Sequence, residues 1–295
     1  MLDYASLSAV AAVVREGTFE RAASALGITP SAVSQRVRGL EERLGAILIV
    51  RGAPCTPTEL GRTLCAHLDR VRLLEHDLAP VLGPAAGAAP HLTLRVAVNA
   101  DSLATWFPGA AAAFARAGGA CLDLALDDEA HTAERLRTGE VLAAVSADRD
   151  PVQGCRTLPL GSLRYAACAS PDFHARHFAG GVDALALGRA PHLRFDRRDQ
   201  LQARWAREAH DVALAGPVHW VPSAQGFLDM ALAGVGWGLQ PLALAAPLLA
   251  AGRLVELAPG HRVDVALYWT FARLHATPLR RLREAVRAAA RAALA

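Results

Sequence analysis

The sequence predicts an α/β chain in three parts: an N-terminal winged helix–turn–helix, a long linker helix and a two-lobed domain. Three observations carry this. Residues 18–44 hold two short amphipathic segments joined by a tight turn, and residues 58–82 repeat apolar side chains at four–three spacing. Beyond residue 91, strand-like and helix-like stretches alternate. The boundaries expected are 1–57 for the head, 58–82 for the linker, 83–90 for a hinge, 91–164 with 268–295 for lobe I, and 165–267 for lobe II.

In MLDYASLSAVAAVVREG, Leu7, Val10, Ala11 and Val14 share one helical face, while Asp3 and the lack of a basic leader argue against a signal peptide. Phe19, Ala22, Ala23 and Leu26 then recur at helical spacing until Gly27 and Ile28 break the pattern. Thr29 stands where an N-cap hydroxyl belongs, and Pro30 takes the first helical position, where a missing N–H is harmless. Val33, Val37, Leu40 and Leu44 form the buried stripe of the next helix. Its opposite face presents Ser31, Gln35, Arg38 and Glu42, flanked by Ser34 and Arg36. Hydroxyls, an amide and guanidiniums near a helix N-terminus suit the major groove, where Gln bridges adenine and Arg bridges guanine. Thr29, Ser31, Ser34, Gln35, Arg36 and Arg38 are therefore the candidate DNA contacts. The plain alternative is a packed helical hairpin with a solvated polar face.

The run AILIV (46–50), ended by Arg51 and the turn GAPCTP, reads as a small wing. Thr58 then caps a helix along which Leu60, Leu64, His67, Val71, Leu74, Leu78 and Val81 form a heptad seam. Such a seam on a linker predicts pairing with a second copy; the alternative is packing on its own domain. GPAAGAAP (83–90) cannot continue a helix and marks a hinge.

Next come LTLRVAV as strand, SLATWFPGAAAAFARAG as one helix, CLDLAL as strand, TAERLRTGE as helix and VLAAVS as strand. These βα units predict a largely parallel sheet with ligand sites at the strands' C-terminal ends. The chain is expected to cross into lobe II near 163–173 and return near 265–271, with an arginine-rich helix closing lobe I. Two crossovers make a clamshell with its site in the cleft.

Composition excludes several classes. Hydrophobic residues make up 53% and charged residues 20%, which suits packed cores and not disorder. All 31 basic residues are arginine, and the net charge of +3 does not by itself announce nucleic acid. Residues 1–62 hold seven Arg against six acidic residues, so any basic patch must come from placement. Five scattered cysteines without a CxxC pair read as thiols in a reducing cytoplasm. No stretch reads as a membrane span. His174 and His177 lack a third ligand, so no metal is expected. GVGWG (234–238) reads as a glycine turn and not a nucleotide loop; with no GxSxG, P-loop or HExxH, neither an enzyme nor a cofactor is expected. The rivals weighed are a ligand-sensing enzyme with an appended head and an architectural DNA protein blind to small molecules.

In the cleft, Asn99, Asp101 and Ser102 follow the first strand at a helix N-terminus, where free N–H groups favour a carboxylate. Asp101 fits such a site if it accepts the ligand's ammonium. Asp127, Asp128 and Glu129 follow the second strand and repel one another, which a bound cation would relieve; the alternative is a solvated acidic loop. Ser146 ends the third strand, and Phe195-Asp196 and Ser223 are the lobe II candidates to close on a ligand.

The head, the Arg51…Thr58-Glu59-Leu60-Gly61 segment, the linker helix and the two lobes together resemble the LysR-type transcriptional regulators over the whole chain. VNADSLATW (98–106), LDDEAHTAERLRTGEVLAAVS (126–146) and LYW (267–269) are similar to the branch that controls arginine and lysine export, the ArgP/LysG type. The resemblance implies a periplasmic-binding-protein-like effector domain and a homotetramer built as a dimer of dimers. It further implies binding to double-stranded promoter DNA, and a basic amino acid effector that alters DNA bending and RNA polymerase recruitment. Ala224 and Gln225 stand where that branch often carries Ser-Glu, which adds Gln225 to the candidate site and leaves an unrelated small metabolite as the alternative effector.

Overall fold

A computed structural model describes residues 2–82, 92–118, 120–126 and 131–295. The expected hinge at 83–90 and the acidic run Asp127, Asp128 and Glu129 lie outside the described residues.

The head comprises α1 (Tyr4–Glu16), α2 (Phe19–Leu26), α3 (Pro30–Leu44), β1 (Ile49–Val50) and β2 (Thr56–Pro57). Each helix is bounded by its own sequence. The side chains of Asp3, Thr18 and Thr29 accept from first-turn N–H groups, and Gly17, Gly27 and Gly45 close the helices in the left-handed conformation. Leu7, Val10, Val13, Val33, Val37 and Leu40 pack one core. Leu44, expected to complete the stripe, is 39% exposed, because α3 runs past the α1–α2 contact in its last turn. The wing is shorter than AILIV suggests. Glu41 Oε1 accepts from the N–H groups of Leu48 and Ile49 at 2.8 and 3.3 Å, so only Ile49 and Val50 pair with β2.

The linker helix is α4 (Glu59–Leu82). The Thr58 hydroxyl accepts from the Gly61 N–H at 3.1 Å and donates to the Ile47 carbonyl at 2.8 Å. Gly61 allows the close approach, since a methyl there would run into the Leu48 carbonyl oxygen. The seam divides: Leu64 packs into the head core, whereas Leu60, Leu74, Leu78 and Val81 remain exposed. Leu73, on another face, enters the core of the α/β domain. His67 within the seam lies 3.2 Å from the Tyr4 hydroxyl.

The α/β domain continues with β3 (Leu92–Val98), α5 (Ala100–Ala104), α6 (Phe107–Ala117), β4 (Ala120–Leu126), α7 (Thr132–Thr138), β5 (Ala143–Ser146) and β6 (Cys155–Ala169). Lobe II adds α8 (Pro171–His177), α9 (Ala184–Arg189), β7 (His192–Arg194), α10 (Leu201–His210), β8 (Val218–Trp220), α11 (Ala224–Leu232), β9 (Gly238–Pro241), α12 (Leu242–Ala250) and β10 (Val255–Glu256). The chain returns through β11 (Val263–Ala272) and ends in α13 (Thr277–Ala293).

The main sheet has the order β10-β6-β11-β5-β3-β4, with β9 also paired to β6; β7 and β8 form a separate parallel pair. Only β4, β3 and β5 are mutually parallel, since β11 runs antiparallel to both β5 and β6. The expectation of a largely parallel sheet therefore holds for β3, β4 and β5 of lobe I and for the β7–β8 pair of lobe II, while the strands shared between the lobes are antiparallel. The long strands β6 and β11 carry the chain between lobes, and their register shifts between Leu267 and Tyr268, where a bulge bends the pair. The single helix expected over 102–118 is two, α5 and α6. Pro108 cannot continue a helix that starts at Ala100, so the chain breaks at Thr105 and restarts at Phe107.

No side chain of its own caps α13; the Thr277 N–H instead donates to the Asp77 carboxylate of α4 at 2.8 Å. Among the described residues, no helix is long and apolar enough to cross a membrane.

Candidate DNA-reading face and ligand cleft

The candidate DNA contacts share one end of α3. Thr29 Oγ1 accepts from the Ala32 N–H at 3.2 Å, which fixes where the helix begins. From that start, Ser31, Gln35, Arg36 and Arg38 project into solvent and Ser34 is half-buried, while Val33 and Val37 point into the core. Among the described residues, Gln35, Arg36 and Arg38 form no hydrogen bond or ion pair, so their donors are free for a partner. Arg43, one turn further on, is instead held 3.7 Å from Asp3. The wing's Arg51 lies over the Phe19 ring at 5.1 Å, beside the start of α2.

The cleft lies where α5 of lobe I meets α11 of lobe II. Asn99 caps α5, its Oδ1 accepting from the Ser102 N–H at 2.9 Å. Ser102 is fully buried, and its hydroxyl accepts from Trp106 Nε1 at 3.1 Å, so it braces the helix from behind. Ser146 is also buried, 3.4 Å from the Asp148 carbonyl. Asp101 does face the cleft, and its Oδ2 accepts from the Tyr165 hydroxyl of β6 at 2.7 Å.

From lobe II, the cleft is lined by Phe195, Asp199, Gln202, Ala224 and Gln240. The other candidates from this lobe point elsewhere. Asp196 is exposed, its carboxylate taken by the N–H groups of Arg198 and Asp199 at 2.8 and 2.9 Å. Ser223 caps α11 by accepting from the Gly226 N–H at 3.1 Å. Gln225 is exposed and donates to Asp229 Oδ1 at 2.9 Å, one turn along the same helix.

Asp199, which the sequence reading passed over, accepts from the Phe195 and Leu201 N–H groups at 2.9 and 3.0 Å. It thereby closes the loop before α10, and the residue also lines the cleft. A signal was available: Asp199 stands just before a helix, where an acidic side chain caps free N–H groups.

The electrostatics are one-sided. Burial pushes the Asp101 carboxyl above its usual value; the Tyr165 hydrogen bond opposes this and the charge of Asp199 adds to it. Tyr165 is driven well above the ordinary tyrosine value by burial and by Asp101. None of the described residues lining the cleft is a cation. The nearby Arg194 and Arg197 are stacked on Trp220, at 5.2 and 5.0 Å from its ring centre, and the Arg194 guanidinium also donates to the Asp199 backbone carbonyl.

Two further motifs are structural. His177 lies against the Phe173 ring at 4.3 Å, and no metal-ligating cluster occurs among the described residues. In GVGWG, Gly234 takes a left-handed turn after α11, and a side chain at Gly238 would strike the Phe227 ring.

A family model described as a bacterial regulatory helix-turn-helix protein of the lysR family matches residues 4–62, and one for the LysR substrate binding domain matches residues 87–291. The chain belongs to the LysR family. It is a DNA-binding transcriptional regulator with an effector-binding domain, not an enzyme. This LysR-family chain is 46% identical to the HTH-type transcriptional regulator ArgP of Pseudomonas aeruginosa, over 92% of its length and 90% of the relative's. It is 43% identical to the lysine export transcriptional regulatory protein LysG of Corynebacterium efficiens, covering 98% of each chain. Among solved structures, full-length LysG of Corynebacterium glutamicum with bound effector Arg is similar at 38% identity, 99% coverage of both chains and a TM-score of 0.70.

Proposed function

We propose that this regulator senses a basic amino acid, L-arginine or L-lysine, and controls the export or metabolism of such amino acids. One observation carries the reading: Asp101 and Asp199 face a shared cleft in which no described lining residue supplies a positive charge. A buried carboxylate beside a second one is unfavourable until a cation arrives, so the cleft favours a cationic ligand. The arginine bound to the Corynebacterium glutamicum relative is consistent with this.

Within this reading, Thr29, Ser31, Ser34, Gln35, Arg36 and Arg38 read or position promoter DNA from α3. The exposed Leu60, Leu74, Leu78 and Val81 pair α4 with a second copy, and two such dimers form the tetramer. Effector binding favours one arrangement of the lobes and so changes the spacing of the heads on promoter DNA and the recruitment of RNA polymerase, in the cytoplasm.

Calorimetric titration of the purified protein with L-arginine and L-lysine, with L-leucine and L-glutamate as controls, tests the effector class. Saturable binding of the basic amino acids alone is expected. Preference for L-leucine or L-glutamate would overturn it and leave the DNA-binding role standing.

A further inference from the structure

The two carboxylates are not the whole polar lining of the cleft. Lobe II contributes two amides, Gln202 in the first turn of α10 and Gln240 on β9, each 1% exposed. Gln240 is anchored, its Nε2 donating to the Phe227 carbonyl at 3.5 Å. Gln202 is not: its Oε1 is buried and meets no donor. A buried acceptor left unpaired costs about 1–3 kcal/mol, and folded interiors rarely tolerate one without reason. Other buried polar atoms lack partners too, on His192, His210, Trp237 and Trp269, but none of those residues lines the cleft.

We infer that Gln202 reads the distal cation of the effector, its Oε1 serving as a third acceptor beside Asp101 and Asp199, and that this set selects a guanidinium over an ammonium. The inference rests on the basic amino acid reading above and adds which cation is preferred and which neutral residue enforces the preference. A guanidinium is planar, is weakly hydrated and carries five N–H donors in a fixed fork, so it can serve several acceptors set around its edge. An ammonium is compact and strongly hydrated, and its donors end one atom short of a guanidinium's terminal nitrogens. It loses more water on entry and leaves an acceptor at the far wall unserved. Gln202 suits this role because a neutral carbonyl takes up a donor without adding a third negative charge to the carboxylate pair.

The test is calorimetry on the full-length protein with L-arginine, L-lysine and the neutral isostere L-citrulline. The wild type is expected to bind L-arginine more tightly than L-lysine and to reject L-citrulline. Gln202→Leu is expected to weaken L-arginine about tenfold, the size of one lost hydrogen bond to a charged donor. It should weaken L-lysine much less, with the melting temperature unchanged or raised, because an orphaned polar atom has been removed. Gln202→Met keeps the volume without a carbonyl acceptor and should repeat the loss for L-arginine. Equal losses for both ligands in a folded Gln202→Leu variant, or no loss at all, would overturn the inference. Should that variant fail to fold, unweakened L-arginine binding by Gln202→Met would do the same. Wild-type binding of neither basic amino acid removes the effector reading and the inference together, and that arm reports on the effector reading without any variant.

Discussion

The DNA-reading face and the ligand cleft use opposite physics. On α3 Gln35, Arg36 and Arg38 are solvated and unpaired, two of them positively charged, and they stand on a helix whose folding does not need them. In the cleft the working groups are two carboxylates and a buried amide, and they sit at a cost to the fold that a ligand can relieve. A surface that waits for a polyanion contributes its binding energy only on contact, at the expense of ordering long side chains. A cleft that stores like charge and an unpaired acceptor is already poised, so ligand binding and stability oppose each other there. Function should therefore separate from stability on the head, and trade against it in the cleft.

The sharpest way to break that contrast is Asp101→Asn. Loss of a buried charge partner predicts about 100-fold weaker L-arginine binding, ~3 kcal/mol, while the melting temperature at neutral pH holds or rises. The sign follows from the raised carboxyl of Asp101: its protonated form is the one the fold prefers, so wild-type stability falls as pH climbs from the ordinary value of 3.8 through the raised one. Effector affinity rises over the same window as the carboxylate ionises, with proton release on binding. The variant should show neither trend, as calorimetry and thermal melts across pH would reveal. A variant that melts well below the wild type at neutral pH would erase the distinction between the two regions.

Arg38→Ala probes the other side. It should weaken binding to the specific promoter site by about 2 kcal/mol if the guanidinium contacts a base. The melting temperature and the L-arginine isotherm should stay where they are. An unchanged isotherm on the specific DNA would remove Arg38 from the reading face. Thr29→Ala is the mildest change and falls between the two classes. Losing the hydroxyl that accepts from the Ala32 N–H should lower head stability by about 1 kcal/mol, visible as a shifted urea midpoint, with effector binding intact.

The head was readable because its instructions are local. Thr18, Thr29, Gly27 and Gly45 each act within a few residues of their own position, so cap, turn and groove face follow from spacing. Misjudgements there were also local: Leu44 overshoots the core, and Glu41 takes the N–H groups that AILIV would have offered to a longer wing. The cleft was readable in outline only. Its placement at strand ends follows from the βα pattern, yet its walls are made by residues far apart in sequence. Tyr165 bonds Asp101 across 64 positions, and Asp199, Gln202 and Gln240 reach the cleft from α10 and β9. Nothing in FDRRDQLQ by itself says that Asp196 would turn to its own loop while Asp199 faced inward. The split of 102–118 was foreseeable from Pro108, whose ring cannot follow a full preceding turn.

The bond from Asp77 to the first N–H of α13 fastens the far end of a 24-residue helix to lobe I, while Leu64 and Leu68 hold its near end in the head. At 1.5 Å per residue the arm from Asp77 back to Glu59 is about 27 Å, so tilting it by roughly 10° would sweep the head end through ~5 Å. That is more than one base-pair step of about 3.4 Å. A small rotation of one lobe, passed on through Asp77 and the buried Leu73, is enough to carry the reading helix from one register of the groove to another.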